Sequence, residues 1–215
     1  FRVVIGTALN LVFTITLSYG LSREGLKGRT FLTGFVFFTM LFSGGMIPTF
    51  ILVKGVGLID SRWAMVLPCL INTWNLLIMR NFFYGIPKSL EEAAVIDGAN
   101  DAQVLVKIVL PLSKASIATI GLFYAVSHWN AWFDAMLYIN TTALLPMQNI
   151  LRNIITAASS IGDLGAEAYN SLDVVPPSQA IRAATIVITT LPILVAYPFV
   201  QKYFVKGVMV GSVKG

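Results

Sequence analysis

The chain contains 215 residues, of which 56% are hydrophobic and 12% charged, and its mean hydropathy is +0.78. Because an ordinary soluble domain has about 45–50% apolar and about 25% charged residues, this composition indicates an integral membrane protein. The net charge is +5, but the basic residues are scattered between apolar runs and form no continuous stripe, which argues against a nucleic-acid partner.

Five apolar segments approach the roughly 20 residues that a helix needs to cross a bilayer core of about 30 Å. They cover residues 3–21, 31–53, 63–82, 115–137 and 182–200. Lysine and arginine are concentrated in the connection 22–30, in the insert 83–114 and in the tail after residue 200. The positive-inside rule therefore predicts that these three regions are cytoplasmic and that the first span runs inward. An odd number of spans starting outside suggests at least one further span before Phe1.

The second apolar segment contains the sequence "SGGMIP" at residues 43–48. Pro48 removes a backbone donor and the two glycines weaken a helix, so a kink or break is predicted near the outer end of this segment. Such breaks are tolerated in membrane proteins where the backbone is buried or lines a cavity. Both a transport pathway and an ordinary kinked helix end fit this pattern.

A polar stretch, "SLEEAAVIDGANDAQVLVKIVLP", interrupts the apolar sequence before the fourth span. Ser89 and Glu92 have the spacing of a capping box, which predicts a helix that begins there. Gly98 permits a left-handed stop, and either Asn100 or Asp101 can cap a second helix. That helix is predicted to end at Pro111 and to place on one face Ala102, Leu105, Val106 and Val109.

Two short helices around a glycine turn predict a compact knob on the cytoplasmic side. Small Ala93 and Ala94 would let a partner backbone approach closely, and the basic groups of that partner would meet Glu91, Glu92 and Asp97. The alternative is a capped helix that lies on the membrane surface.

The same stretch carries a family resemblance. Residues 92–111 match the pattern E-A-A, three residues, Gly, nine residues, Ile, one residue, Leu-Pro, without departures, and so resemble the EAA loop of binding-protein-dependent ABC importer permeases. The sequences "GLIDSRWAMVLP" (57–68) and "IPKSLEEAAVIDGA" (86–99) resemble the carbohydrate branch, which includes maltose-type permeases. The sequences "YINTTALLPMQNILRNI" (138–154) and "YPFVQKYFVKGVMVGSVKG" (197–215) resemble the LplC/YtcP-like subgroup, associated with oligosaccharides that include uronate-containing ones.

This resemblance implies an all-α, polytopic transmembrane bundle of the type I importer kind, with about five of the family's usual six spans. Residues 1–215 would form a single permease domain, in which 87–111 is the cytoplasmic coupling loop, 138–181 the extracytoplasmic region and 201–215 a cytoplasmic tail near the ATPases. Within the loop, the resemblance implies that Glu92 pairs with a basic group of an ATPase and that Gly98 shapes the turn. It makes Ala93 and Ala94 the contact surface.

The resemblance also implies a set of partners in a bacterial inner membrane, which the chain would cross several times. They are a second homologous permease, two cytoplasmic ATPase subunits, an extracytoplasmic solute-binding protein, the oligosaccharide and membrane lipid. ATP and Mg²⁺ would be bound by the ATPases and no cofactor by this chain.

The sequence lacks the common signatures of enzymes. It has no G-x-x-x-x-G-K-[ST] loop to hold ATP phosphates, no G-x-S-x-G elbow and no H-E-x-x-H pair. Its single histidine, His128, has no second ligand nearby in sequence, and its single cysteine, Cys69, has no thiol partner. We therefore predict no catalytic residue and no metal site, and expect His128 to be held by hydrogen bonds.

Polar residues within two spans suggest a substrate pathway. Ser127, Asn130 or Ala131, and Asp134 share one face of the fourth predicted span, and polar groups at membrane depth usually face a bundle interior or a water-filled cavity. A sugar offers hydroxyls to amides and carboxylates and flat C–H faces to aromatic rings. The candidate contacts are therefore Asn72, Trp74, Asn75, Asn130, Trp132 and Asp134. Hydrogen bonds between helices are the alternative role, and no basic residue central to a span selects for an acidic sugar.

The region after residue 138 contains "NILRNIITAAS", with a wide apolar face formed by Ile150, Leu151, Ile154, Ile155 and Ala158. It predicts an amphipathic helix at the membrane surface or a wall of an outer vestibule, where a sugar-binding protein would dock. Two other functions stay open from the sequence: an importer of another solute such as an amino acid or phosphate, and a membrane channel or scaffold without an ATPase.

Overall fold

The computed structural model describes residues 1–163 and 178–212, and these residues form helices and turns without a strand. Three short 3₁₀ turns, Arg62–Met65, Leu67–Cys69 and Thr142–Leu144, lie between longer helices. The longer helices are α1 (Arg2–Ser22), α2 (Arg29–Leu41), α3 (Met46–Gly55), α4 (Thr73–Tyr84), α5 (Lys88–Ile96), α6 (Asp101–Leu112), α7 (Lys114–Asn130), α8 (Phe133–Tyr138), α9 (Met147–Asp163) and α10 (Ser178–Ser212). The predicted all-α class is confirmed over this part of the chain.

Among the described helices, α1 alone is both long and apolar enough to cross a membrane by itself. The number of possible membrane spans rises to three if each of two bent helix pairs counts as one span. These pairs are α2 with α3, bent by 110°, and α6 with α7, bent by 84°. A shorter apolar stretch, Ala180–Val195, lies within α10. By length and composition, the first predicted span is therefore a continuous helix, whereas the second is a bent pair.

The break predicted in the second apolar segment is confirmed. α2 ends at Leu41 and α3 begins at Met46, with Gly45 between them at a φ of 85°. Pro48 lies in the first turn of α3, where a backbone N–H would have no helical acceptor and its loss costs little.

The prediction of a continuous helix over residues 63–82 is wrong. This segment begins with two 3₁₀ turns, and α4 starts only at Thr73. Pro68 stands in the second turn, and the carbonyls of Cys69 and Leu70 accept hydrogen bonds from the Asn10 side chain on α1. The non-helical backbone is tolerated because a neighbouring helix satisfies it.

The last two predicted spans also differ from the structure. The fourth, 115–137, is interrupted at residues 131–132, between α7 and α8. The fifth, 182–200, lies within the longer α10, which passes through Pro192 and Pro198 and continues to Ser212. The predicted tail therefore begins as a continuation of α10.

The core lies between α1, α4, α6 and α7 and is centred on Met79, Ile120 and Tyr124. α6 adds Val104 and Val109, both fully buried. These two residues share a face because residues Leu105–Val109 form a π-helical turn, whose wider repeat brings positions five apart into register. The apolar face predicted from ordinary helical spacing is confirmed in part. Leu105 and Val109 pack in the core, whereas Ala102 and Val106 are exposed.

The connections lie at two separate ends of the molecule. At one end, residues 22–30 contact the 87–111 loop through Arg23. At the other, the Asp60 carboxylate accepts hydrogen bonds from the hydroxyl and the backbone N–H of Thr141, 2.6 and 2.8 Å away, and from the Asn140 N–H. The bonds from Thr141 hold the pKa of Asp60 below its usual value. The contact of residues 22–30 with the 87–111 loop agrees with the charge bias, and the side of the membrane on which they lie stays a prediction.

Candidate functional site

A cavity of about 690 Å³ opens between α1, α4 and α7. Four of the six predicted pathway residues line it, namely Asn72, Trp74, Asn75 and Asp134. The structure adds residues that the sequence did not suggest as pathway residues, chiefly Arg2, Asn10, Tyr124 and His128.

The other two predicted pathway residues lie elsewhere. Asn130 is exposed and does not line this cavity, and Trp132 lines a separate one between α9 and α10. There, the Arg152 guanidinium lies 3.7 Å from the centre of the Trp132 ring, and the Asn149 side chain donates to the Trp132 carbonyl. Of the two alternatives in the predicted stripe, Ala131 and not Asn130 lines the cavity with Ser127 and Asp134, because the helix breaks after Asn130.

An ion pair joins the start of α1 to the start of α8. The Arg2 guanidinium donates to both oxygens of Asp134, at 2.9 Å for Oδ1, and to the Ala131 carbonyl at 3.2 Å. Only 8% of the Arg2 side chain and 28% of the Asp134 side chain are exposed. The two charges therefore neutralise each other at the cavity wall.

The same guanidinium starts a directed chain of hydrogen bonds. Its Nε lies 3.4 Å from His128 Nδ1, which must accept because arginine only donates. His128 Nε2 then carries the proton and donates to Asn10 Oδ1 at 2.8 Å. Asn10 in turn donates to the Cys69 and Leu70 carbonyls, 2.8 and 2.9 Å away. His128 is thus held by hydrogen bonds, as predicted.

A second link involves the Tyr124 hydroxyl, which accepts from the Asn72 backbone N–H at 3.0 Å and lies 2.8 Å from the Thr14 hydroxyl. Asn72 itself caps α4, since its Oδ1 accepts from the Asn75 N–H at 3.0 Å. Asn75 and Trp74 also line the cavity. The side-chain amide of Asn75 takes part in no hydrogen bond with the described residues, and the Trp74 ring is largely exposed.

One signal in the sequence was missed. Asn10, Thr14 and Ser18 stand four residues apart on α1 and are all fully buried. The rule applied to the fourth span, that polar residues at helical spacing face an interior, also identifies this row. Gly6 continues it, and a Cβ there would lie 2.6 Å from His128 Nε2. The row of small and polar residues lets α1 approach its neighbours closely.

Replacing Gly6 with alanine should destabilise the protein because the added methyl group meets the His128 ring. Overpacking of this kind costs about 1–3 kcal/mol. Gly20→Ala is the matched control, since its Cβ on the same helix would have no neighbour within 4 Å. Thermal melting of the detergent-solubilised protein should show a lower midpoint for Gly6→Ala alone, and equal midpoints for the two variants would contradict the contact.

The 87–111 loop forms two helices around a glycine turn, as predicted. Gly98 has a φ of 84°, and Asn100 and Gln103 form a reciprocal capping box at the start of α6. The capping box predicted from Ser89 and Glu92 is wrong, because α5 begins at Lys88 and Ser89 therefore lies inside its first turn.

The loop exposes only part of its predicted contact surface. Ala93 is exposed, whereas Ala94 packs against the core cluster. Glu91 is engaged by Arg23. The exposed surface also contains Glu92, Val95, Asp97 and Pro111, together with Ile96, which ends α5 and is 85% exposed.

Comparison with known proteins agrees with this arrangement. Residues 11–210 match the family described as "Binding-protein-dependent transport system inner membrane component". The chain is 53% identical, over its whole length and 74% of the relative, to the polygalacturonan/rhamnogalacturonan transport system permease protein YtcP of Bacillus subtilis (strain 168). It is 51% identical to Protein LplC of the same organism, covering 72% of that protein.

A solved structure is also similar. It is the crystal structure of a bacterial ABC transporter involved in the import of the acidic polysaccharide alginate. The TM-score is 0.84 at 37% identity, and the match covers 95% of this chain and 72% of the other. The predicted fold of an ABC importer permease is confirmed.

The family match and the similarity to a solved importer identify the chain as a transport permease. The chain belongs to the family of binding-protein-dependent transport system inner membrane components.

Proposed function

We propose that this chain is a permease subunit of an ATP-driven importer that carries an oligosaccharide inward. One observation supports this proposal most strongly: α1 joins a cavity lined partly by polar side chains at one end to an exposed EAA loop at the other. The relatives named for polygalacturonan/rhamnogalacturonan and alginate transport favour an oligosaccharide, including uronate-containing ones.

The proposed complex contains a second homologous permease, two ATPases that bind ATP and Mg²⁺, and an extracytoplasmic binding protein that delivers the sugar. The chain would cross a bacterial inner membrane several times and catalyse no reaction itself. Closure of the ATPases would move the 87–111 loop, and tilting of the helices would switch the cavity from outward-facing to inward-facing.

The cavity favours recognition of hydroxyl groups over recognition of charge. The Arg2 guanidinium already donates hydrogen bonds to Asp134, to the Ala131 carbonyl and to His128. The Arg2–Asp134 ion pair therefore presents no net charge to the cavity. The Asn75 amide offers donors and an acceptor, and the Trp74 ring offers a flat apolar face. In this proposal, selection for an acidic group belongs to other subunits.

Reconstitution tests the proposal. The permease pair, its ATPases and the binding protein are placed in proteoliposomes, and uptake of labelled neutral and uronate-containing oligosaccharides is measured with and without ATP. ATP-dependent sugar uptake is the expected result. Uptake of an amino acid or phosphate instead would assign another solute, and flux without the ATPases would indicate a channel.

Replacing Asn75 with alanine should raise the oligosaccharide concentration for half-maximal uptake about five- to tenfold, because a hydrogen bond is worth about 1 kcal/mol and a tenfold change about 1.4 kcal/mol. Asn130→Ala is the control, since it removes the same amide outside the cavity. Equal effects of the two substitutions would show that Asn75 does not contact the sugar.

A further inference from the structure

Arg23, just after the end of α1, joins both helices of the coupling loop. Its Nη1 donates to Oε2 of Glu91 on α5, and its Nη2 donates to Oδ1 of Asp101 at the start of α6, 2.9 Å away. The Arg23 and Glu91 side chains are 29% and 20% exposed, so this pair is screened by water less than a surface pair. The Asp101 side chain is 76% exposed, so water screens its ion pair with Arg23, and the half-buried pair with Glu91 is the one that holds the loop to α1.

Tyr19 adds a second contact between the same elements. Its hydroxyl donates to the Asp101 carbonyl at 3.3 Å, and its ring lies beneath the Arg23 guanidinium, 5.4 Å from ring centre to Cζ. The ring is buried and packs edge-to-face on Phe83 of α4. Arg23 is therefore anchored to the core as well as to the loop.

A neighbouring ion pair, between Lys88 and Glu24, is more exposed to water than the pair of Arg23 with Glu91. Lys88 and Glu24 also join the coupling loop to the connection after α1, 2.5 Å apart, but their side chains are 59% and 50% exposed. Exposed pairs contribute little because water and salt screen them. This pair is therefore a suitable comparison for Arg23.

The helix that carries Arg23 also reaches the cavity. α1 runs unbroken from Arg2 to Ser22, a length of about 31 Å at 1.5 Å per residue. The alternative connection through α6 and α7 bends by 84°. Arginines at or next to the two ends of α1 thus form ion pairs, Arg2 with Asp134 at the cavity and Arg23 with Glu91 and Asp101 at the loop.

We propose that Arg23 is a positioning residue that clamps the coupling loop to α1, so that movement of the loop is transmitted along this helix to the Arg2–Asp134 pair. The inference rests on the proposed function, since it requires that an ATPase moves the loop. It also separates two adjacent acids: Glu91 belongs to the internal clamp, and exposed Glu92 is the one free to meet the partner.

The test compares variants in the reconstituted complex, with sugar uptake and ATP hydrolysis measured together. Arg23→Gln should lower the sugar transported per ATP about tenfold, the effect of losing a hydrogen bond between charged groups. Glu91→Gln should produce a similar loss, and the double variant should lose little more, because both changes remove one interaction. Lys27→Gln and Glu24→Gln, in exposed positions of the connection after α1, should keep the wild-type ratio.

Three outcomes would overturn the inference. They are an unchanged ratio in Arg23→Gln, additive losses in the double variant, and parallel decreases in uptake and hydrolysis with a lower melting temperature, which indicate a merely structural role.

If Arg23→Gln does not assemble, Arg23→Lys is measured instead. Lysine keeps the charge but lacks the fork that bridges two carboxylates, so the ratio should fall at least about threefold, and an unchanged ratio would overturn the inference. Absence of ATP-dependent uptake in the wild-type complex would overturn the proposed function as well.

Discussion

Replacing Asp134 with alanine should destabilise the protein by about 3–5 kcal/mol, because removal of one partner from a buried ion pair leaves the other charge uncompensated. The charge left behind is the Arg2 guanidinium, which is 8% exposed. Without Asp134, the Arg2 guanidinium is less firmly held, which also disturbs the hydrogen bonds from Arg2 to His128 and from His128 to Asn10. We expect a lower melting temperature and a loss of uptake.

A double variant separates the cost of the unpaired charge from the loss of the site. Arg2→Met with Asp134→Leu removes both charges and should recover much of the melting temperature, since apolar pairs often replace buried ion pairs at no net cost. Uptake should stay low if the pair helps to shape the cavity. Asp97→Ala removes an exposed carboxylate and should leave the melting temperature unchanged. If Asp134→Ala behaves like Asp97→Ala, the pair contributes nothing to stability.

Replacing Glu92 and Gly98 together should abolish the coupling of ATP hydrolysis to uptake. Glu92→Gln removes the exposed carboxylate, and if the ATPase buries it in a hydrogen-bonded charge pair, its loss costs about 2–5 kcal/mol, or tenfold and more in affinity. Gly98→Val places a β-branched side chain at a φ of 84°, which strains the turn by about 1–2 kcal/mol and displaces the knob. The ATPase should then co-purify poorly with the permease.

The matched control changes the same residue types at the same end of the molecule. Glu24→Gln and Gly25→Ala alter an exposed acid and a glycine whose added Cβ would have no neighbour within 4 Å. Co-purification and uptake should persist in this variant. Undiminished uptake after replacement of Glu92 and Gly98 would contradict the coupling role of the 87–111 loop.

Local sequence was enough for the features that depend on neighbours along the chain. The left-handed turn at Gly98, the cap at Asn100 and the break near Gly45 each follow from backbone preferences of a few adjacent residues. The apolar length of α1 follows from composition alone. The EAA pattern adds the family, because it fixes residue identities at set positions.

The cavity required the folded chain. Arg2 meets Asp134 across 132 positions, and no spacing rule relates two residues that far apart. Helical periodicity placed Asn130 or Ala131 on one face with Asp134, and only Ala131 lines the cavity, because the helix breaks after Asn130. It also placed Ala102 and Val106 on one face with Val109, and both are exposed, because the π-helical turn of α6 changes the repeat. Residue patterns fix an element's type when its hydrogen bonds are internal to it. Such patterns do not determine which side chains meet where the backbone hydrogen bonds are made by a polar side chain on another helix. The Asn10 side chain, for example, donates to the Cys69 and Leu70 carbonyls.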